Sequence, residues 1–126
     1  MQNYSSKFKV DIKKRAFAYA LEIIKLMDRL NKTGLSVQVI ARQLIRSGTS
    51  IGANVTEAQA CSSKKDFTNF LNHALKSANE SKFWLALLRE SGKGEREILN
   101  RLLSETKELA NILASSILTL KSKRKA

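Results

Sequence analysis

The chain contains no proline, and this absence constrains its fold more than any other feature of its 126 residues. Because proline interrupts the interior of a helix, a chain without it can form long unbroken helices. Leucine, alanine, isoleucine, lysine and glutamate, which favour helices, are abundant. No stretch shows the alternation of a strand. The sequence therefore predicts an all-α protein, and its length predicts a single domain over residues 1–126.

Apolar residues at helical spacing divide the chain into four helices. Asp11 and Ser36 are suitable N-caps, Ser63 with Asp66 forms a capping pair, and Gly34 ends the first helix. In the first helix we expect a core stripe of Ala16, Phe17, Ala20, Leu21, Ile23, Ile24, Met27 and Leu30. The helices are predicted at about 11–31, 36–60, 63–91 and 95–120, followed by a basic tail at 121–126. Short connections between them favour an up-down-up-down antiparallel bundle.

The second helix contains RSGTSIGANVTEA, in which Gly48 and Gly52 lie four residues apart. The apolar stripe of this helix passes through Gly48 without losing phase, and each helical glycine costs about 1 kcal/mol relative to alanine. Close approach of a neighbouring helix at Gly48 and Gly52 would offset that cost. A kink near Ser47 is the alternative. A phosphate-binding loop is excluded because no lysine follows Gly52.

Opposite that apolar stripe, the second helix carries polar residues on one face. We call these residues the polar stripe: Gln43, Arg46, Ser50, Asn54 and Glu57. Polar residues that recur on one face of a helix most often form a surface exposed to solvent.

The segments QLIRSGTSIGANVTEA and KKDFTNFLNHALKSANESKFWL resemble the pattern of the four-helix bundle proteins named for 23S ribosomal RNA intervening sequences. The second segment contributes Ser77 and Glu80 to the match, whereas Ala58 stands where the family usually has glycine. The resemblance implies a bacterial bundle that assembles as a ring-like homopentamer. A related group, the accessory proteins of diversity-generating retroelements, implies binding to nucleic acid and to a reverse transcriptase.

Under this resemblance the polar stripe, with Ser77 and Glu80, becomes a candidate subunit interface. Because the hairpin between the second and third helices is centred near residue 63, Arg46 and Glu80 are expected at the same height. They would form a partly buried ion pair, either within the hairpin or across a subunit boundary. Breaking a buried pair costs about 3–5 kcal/mol.

The formal net charge is +12, which favours acidic partners such as nucleic acid. In the predicted bundle, many cations collect at the end shared by the two termini and the second connection. They are Lys7, Lys9, Lys13, Lys14, Arg15, Lys64, Lys65, Lys121, Lys123, Arg124 and Lys125. Tyr4 and Phe8 are the aromatic residues expected to be free to stack on bases, whereas Phe17 is expected to be packed. The alternative is that lysine-rich termini only aid solubility.

Few residues suggest catalysis. His73 is the only histidine, and the only cysteine, Cys61, lies beside Lys64 and Lys65, which could lower its pKa. Glu105 and Glu108 have the spacing of a metal-binding helix, but no E-x-x-H motif occurs in the sequence. We therefore expect both carboxylates to be solvated. A hydrolase that uses them with a divalent metal ion is a weaker option.

We therefore predict a non-enzymatic protein without cofactor or metal. A single cysteine and the lack of a long apolar run indicate a cytoplasmic protein without a membrane segment. The predicted function is nucleic-acid binding as an accessory or chaperone-like factor, and the alternative is an oligomeric protein-interaction scaffold.

Overall fold

Four helices account for almost all of the backbone. The computed structural model describes the backbone of residues 2–125 and the side chains of residues 12–122. The helices are α1 (Gln2–Arg29), α2 (Leu35–Ala60), α3 (Lys64–Glu90) and α4 (Arg96–Lys125). No strand occurs between residues 2 and 125, so the all-α prediction is confirmed for this range. None of the described helices has the long apolar stretch that crossing a bilayer requires.

Of the three predicted N-caps, only Ser63 is confirmed. The Ser63 hydroxyl caps α3 by accepting a hydrogen bond from the backbone N–H of Asp66 at 3.1 Å. Asp11 is not an N-cap, since α1 already begins at Gln2. Ser36 is not one either, because α2 begins at Leu35 and its N-cap is Gly34, which offers no side chain.

The last helix, α4, also extends further towards the C-terminus than predicted. α4 continues to Lys125, so residues 121–125 prolong the helix instead of forming a separate tail. Lysine and arginine are good helix formers, and positive charge suits the carboxyl end of a helix dipole. With no glycine or proline after Gly94, nothing in the sequence stops α4 earlier.

Each helix packs against its two neighbours, and successive helices run in opposite directions. Arg15 of α1 pairs with Glu105 of α4, whereas Arg29 pairs with Glu95, so these two helices are antiparallel. The start of α1, the α2–α3 connection and the end of α4 therefore lie at one end of the bundle, which we call the basic end.

The core face of α1 differs from the predicted stripe. Phe17 is 66% exposed, and Leu21 and Ile24 are also exposed. The buried residues of α1 are Ile12, Ala16, Tyr19, Ile23, Leu26 and Leu30. Where two apolar residues are adjacent in sequence, successive side chains point about 100° apart, so only one can face the core. The contact with α4, where Tyr19 meets Thr106, decides which one does.

A layer of hydroxyl groups crosses the middle of the core, with one from each helix. Tyr19, Ser47, Ser81 and Thr106 are all 2% exposed or less. The Tyr19 and Thr106 oxygens lie 2.6 Å apart, and the Ser81 and Ser47 oxygens lie 2.9 Å apart. Thr106 donates its proton to the Leu102 carbonyl at 2.6 Å, so Tyr19 must be the donor to Thr106. The layer is thus fully hydrogen-bonded, as buried polar groups require.

Both glycines of α2 lie against α1, and α2 continues through them as a helix. A Cβ atom on Gly48 would lie 2.9 Å from Cγ1 of Ile23, closer than side chains tolerate. A Cβ atom on Gly52 would lie 3.4 Å from the Ala16 carbonyl oxygen, which is an ordinary contact. Only Gly48 is therefore required to be glycine by the packing.

We expect Gly48→Ala and Gly52→Ala to change stability in opposite directions. Gly52→Ala gains helix propensity without a clash and should stabilise the fold by up to about 1 kcal/mol. Gly48→Ala gains the same propensity, but overpacking against Ile23 costs about 1–3 kcal/mol, so a net loss of up to about 2 kcal/mol is expected. Urea unfolding of the two variants provides the measurement, and equal shifts in the midpoint would contradict the packing at Gly48.

Burial raises the pKa of Tyr19 from 10.0 to about 12. Between these values the folded protein keeps a proton that the unfolded chain releases, so the free energy of unfolding must fall as pH rises. The full stabilisation is present below pH 10 and decreases by about 3 kcal/mol towards pH 12. Tyr19→Phe removes the titrating group and should reduce this loss. Urea unfolding of the wild type and of Tyr19→Phe at about pH 8 and about pH 11.5 measures this loss of stability. The same loss in both proteins would show that Tyr19 does not cause it.

Candidate functional site

Exposed lysines from three helices gather towards the basic end. Lys13 and Lys14 lie on α1, Lys64 and Lys65 begin α3, and Lys121 lies near the end of α4. The antiparallel order of the helices brings these separate parts of the chain to the same end. The side chains of the remaining predicted residues lie outside the described ones: Tyr4, Lys7, Phe8, Lys9, Lys123, Arg124 and Lys125.

The two ends of the bundle differ in how their charges are paired. Among the described side chains, none of the five basic-end lysines has a carboxylate within salt-bridge distance. At the other end, Arg29 pairs with Glu95 at 3.1 Å, and Glu90 pairs with both Arg89 and Arg96. With respect to the described side chains, the charge of these five lysines is therefore left for solvent or a ligand to neutralise.

Arg15 is an exception among the predicted basic residues. Its guanidinium binds both carboxylate oxygens of Glu105, at 2.7 and 3.1 Å, in a half-buried position. Glu22–Arg101 and Arg29–Glu95 repeat this α1–α4 pairing at intervals of seven residues along α1. Glu105 is thus an ion-pair partner rather than the solvated carboxylate that the sequence predicted. Arg15 helps to hold α1 against α4.

The polar stripe of α2 contacts α3 through Arg46. Its guanidinium lies 2.6 Å from Glu80 and also donates to Gln43 at 3.1 Å. The same Glu80 oxygen accepts a hydrogen bond from the indole nitrogen of Trp84 at 2.9 Å. The Arg46 side chain is 61% exposed, however, and that of Glu80 is 35% exposed. Within one chain this ion pair is worth less than about 1 kcal/mol, so the 3–5 kcal/mol of a buried pair does not apply to the single chain.

The other residues of the stripe are directed back to their own helices or to solvent. Ser50 donates to the Arg46 carbonyl at 2.7 Å, and Asn54 donates to the Ser50 carbonyl at 2.8 Å. Glu57 is exposed, and Ser77 is half-buried with its carbonyl accepting from Ser81. Local bonds of this kind let polar residues occupy a helix interior.

The candidate catalytic groups are dispersed. His73 is exposed and makes an edge contact with Phe70. Partial burial, and then the carboxylates of Asp66 and Glu57, raise the pKa of the Cys61 thiol, so the lowering expected from Lys64 and Lys65 is wrong. Glu108 is exposed. Within residues 12–122, no three histidine, cysteine, aspartate or glutamate side chains are placed to hold a metal ion.

Two comparisons with known proteins found similar proteins. Residues 9–115 match the family of the 23S rRNA-intervening sequence protein. A crystal structure of a protein with unknown function from the S23 ribosomal protein family of Bacteroides thetaiotaomicron VPI-5482 is 37% identical, with a TM-score of 0.78, and the match covers 84% of this chain and 97% of that one. No curated protein matches. The chain belongs to the 23S rRNA-intervening sequence protein family.

Proposed function

We propose that the protein binds nucleic acid through its basic end, as a non-enzymatic accessory or chaperone-like factor of the cytoplasm. The observation that carries the proposal is the set of exposed lysines from α1, α3 and α4 that have no carboxylate partner among the described side chains. A surface of this kind suits phosphate groups, which supply most of the affinity in binding that does not depend on base sequence.

Assembly into a homo-oligomer would strengthen this binding, because each subunit would add its own lysines to one surface. Exposed apolar side chains on α1 and α2 support an assembly: Leu21, Ile24, Leu35 and Val39. Apolar surface left uncovered in one chain often marks a protein contact. A ring of five subunits and a reverse transcriptase or other protein partner are proposals that come from the family resemblance alone.

The alternative function is an oligomeric scaffold that binds only proteins, with the lysines serving solubility. The same exposed apolar residues favour it. Salt-dependent binding to nucleic acid separates the two functions, since a scaffold would not show it.

We expect the combined variant Lys64→Ala/Lys65→Ala to weaken binding to a mixed-sequence DNA duplex. Each lysine that contacts a phosphate adds about 0.9 to the negative slope of log affinity against log salt, so the slope should become shallower by up to about 2. Fluorescence anisotropy over a salt series gives both quantities.

The control for charge is Lys32→Ala/Lys93→Ala, which removes two exposed lysines in the helix connections at the opposite end of the bundle. It should leave the slope almost unchanged. Equal losses in the two double variants would show that net charge acts without a defined site, and a wild-type protein that binds neither DNA nor RNA near physiological salt would refute the proposal.

For assembly, we expect Arg46→Ala to reduce the oligomer mass and Arg101→Ala to leave it unchanged. The Arg101–Glu22 ion pair is about as exposed as the Arg46–Glu80 ion pair. Each variant should therefore lower the free energy of unfolding of the single chain by less than about 1 kcal/mol. Any additional effect of Arg46→Ala would come from a neighbouring subunit. Sedimentation velocity measures the mass, and equal behaviour of the two variants would make the polar stripe ordinary surface.

A further inference from the structure

A groove runs between α1 and α2 on the side of the bundle, close to the basic end. Its volume is about 840 Å³. Lys13, Lys14 and Phe17 border it on α1, and the small residues Ala20, Gly52 and Ala53 are among those that line it. The missing side chain of Gly52 and the methyl groups beside it leave room for a flat group to approach the helices closely.

Phe17 is the unusual member of this groove. It is 66% exposed, more than any other aromatic side chain among residues 12–122. Lys13 and Lys14 precede it by four and three residues, so all three side chains are neighbours on one face of α1. Neither lysine has a carboxylate partner among the described side chains. An exposed aromatic ring with unpaired cations beside it is the arrangement by which proteins hold single-stranded nucleic acids.

We propose that this groove binds one nucleotide of a single-stranded RNA or DNA, with its base stacked on Phe17 and the adjacent phosphates at Lys13 and Lys14. The inference rests on the proposed function and adds a strand preference to it. Bases within a duplex are stacked on each other and cannot reach a ring on the protein, so only an unpaired base can use the groove.

Charge indicates how the strand lies. The α2 side of the groove carries the carboxylate of Glu57, which would repel a phosphate, whereas the α1 side carries the two lysines. The phosphates therefore follow α1, and the base points towards Ala53 and Gly52 on α2. No contact to a base edge is needed, so little sequence preference is expected.

The test uses a single-stranded oligonucleotide containing 2-aminopurine, whose fluorescence is quenched when the base stacks. The wild-type protein should change this fluorescence, and Phe17→Ala should abolish the change and weaken single-strand binding by about 5- to 150-fold. The same variant should keep its affinity for a DNA duplex and its salt slope, because both depend on the lysines. Phe17→Leu, which keeps an apolar side chain without an aromatic ring, should behave like Phe17→Ala.

Phe83→Ala is the matched control, since Phe83 is an exposed phenylalanine on α3, outside the groove. It should bind both nucleic acids as the wild type does. If Phe17→Ala binds single strands like the wild type, the stacking proposal is wrong while the basic end is unaffected. A change in oligomer mass without loss of the fluorescence change would instead identify the groove as a subunit contact. If the wild-type protein binds neither strand nor duplex, the proposed function itself fails.

Discussion

The hydroxyl layer at the centre of the bundle is the constraint on which the rest of the structure depends. A buried hydroxyl without a partner costs about 1–3 kcal/mol. Ser47, Ser81 and Thr106 also bond carbonyl groups of their own helices. The Tyr19 hydroxyl finds its partner, Thr106, only when α1 and α4 lie at this relative height. The Tyr19–Thr106 hydrogen bond therefore favours one register of α1 against α4.

That register determines where the charges meet. With Tyr19 opposite Thr106, the α1–α4 interface brings Arg15 to Glu105, Glu22 to Arg101 and Arg29 to Glu95. Arginine suits these positions because its planar group can bind both oxygens of one carboxylate. Glu22, Glu95 and Glu105 are thus engaged by arginines along this interface. Among the side chains of residues 12–122, the basic-end lysines of α1, α3 and α4 have no carboxylate partner, and the proposed binding of nucleic acid depends on them.

Close packing of α1 on α2 has a second consequence for the surface. Gly48 lets Ile23 approach α2, and α1 is consequently turned so that Tyr19 and Ile23 face the core. Phe17, Leu21 and Ile24 are then left outside. The same rotation that completes the core also creates an exposed apolar edge beside Lys13 and Lys14, where the groove lies. Packing and candidate function are therefore linked through the orientation of one helix.

The sequence by itself determined that the protein is helical, where four helices lie, and that Arg46 and Glu80 are at the same height in the α2–α3 hairpin. Those features depend on local propensity, glycine breaks and distances along the chain. It could not show which of two adjacent apolar residues in α1 faces the core, since only the neighbouring helices choose between Ala16 and Phe17 or between Ile23 and Ile24. Nor could it show that Glu105 is engaged by Arg15, because that pairing joins residues at opposite ends of the chain. The exposed Phe17 and the groove beside it were decided by the tertiary structure alone, because exposure is a property of how the helices pack.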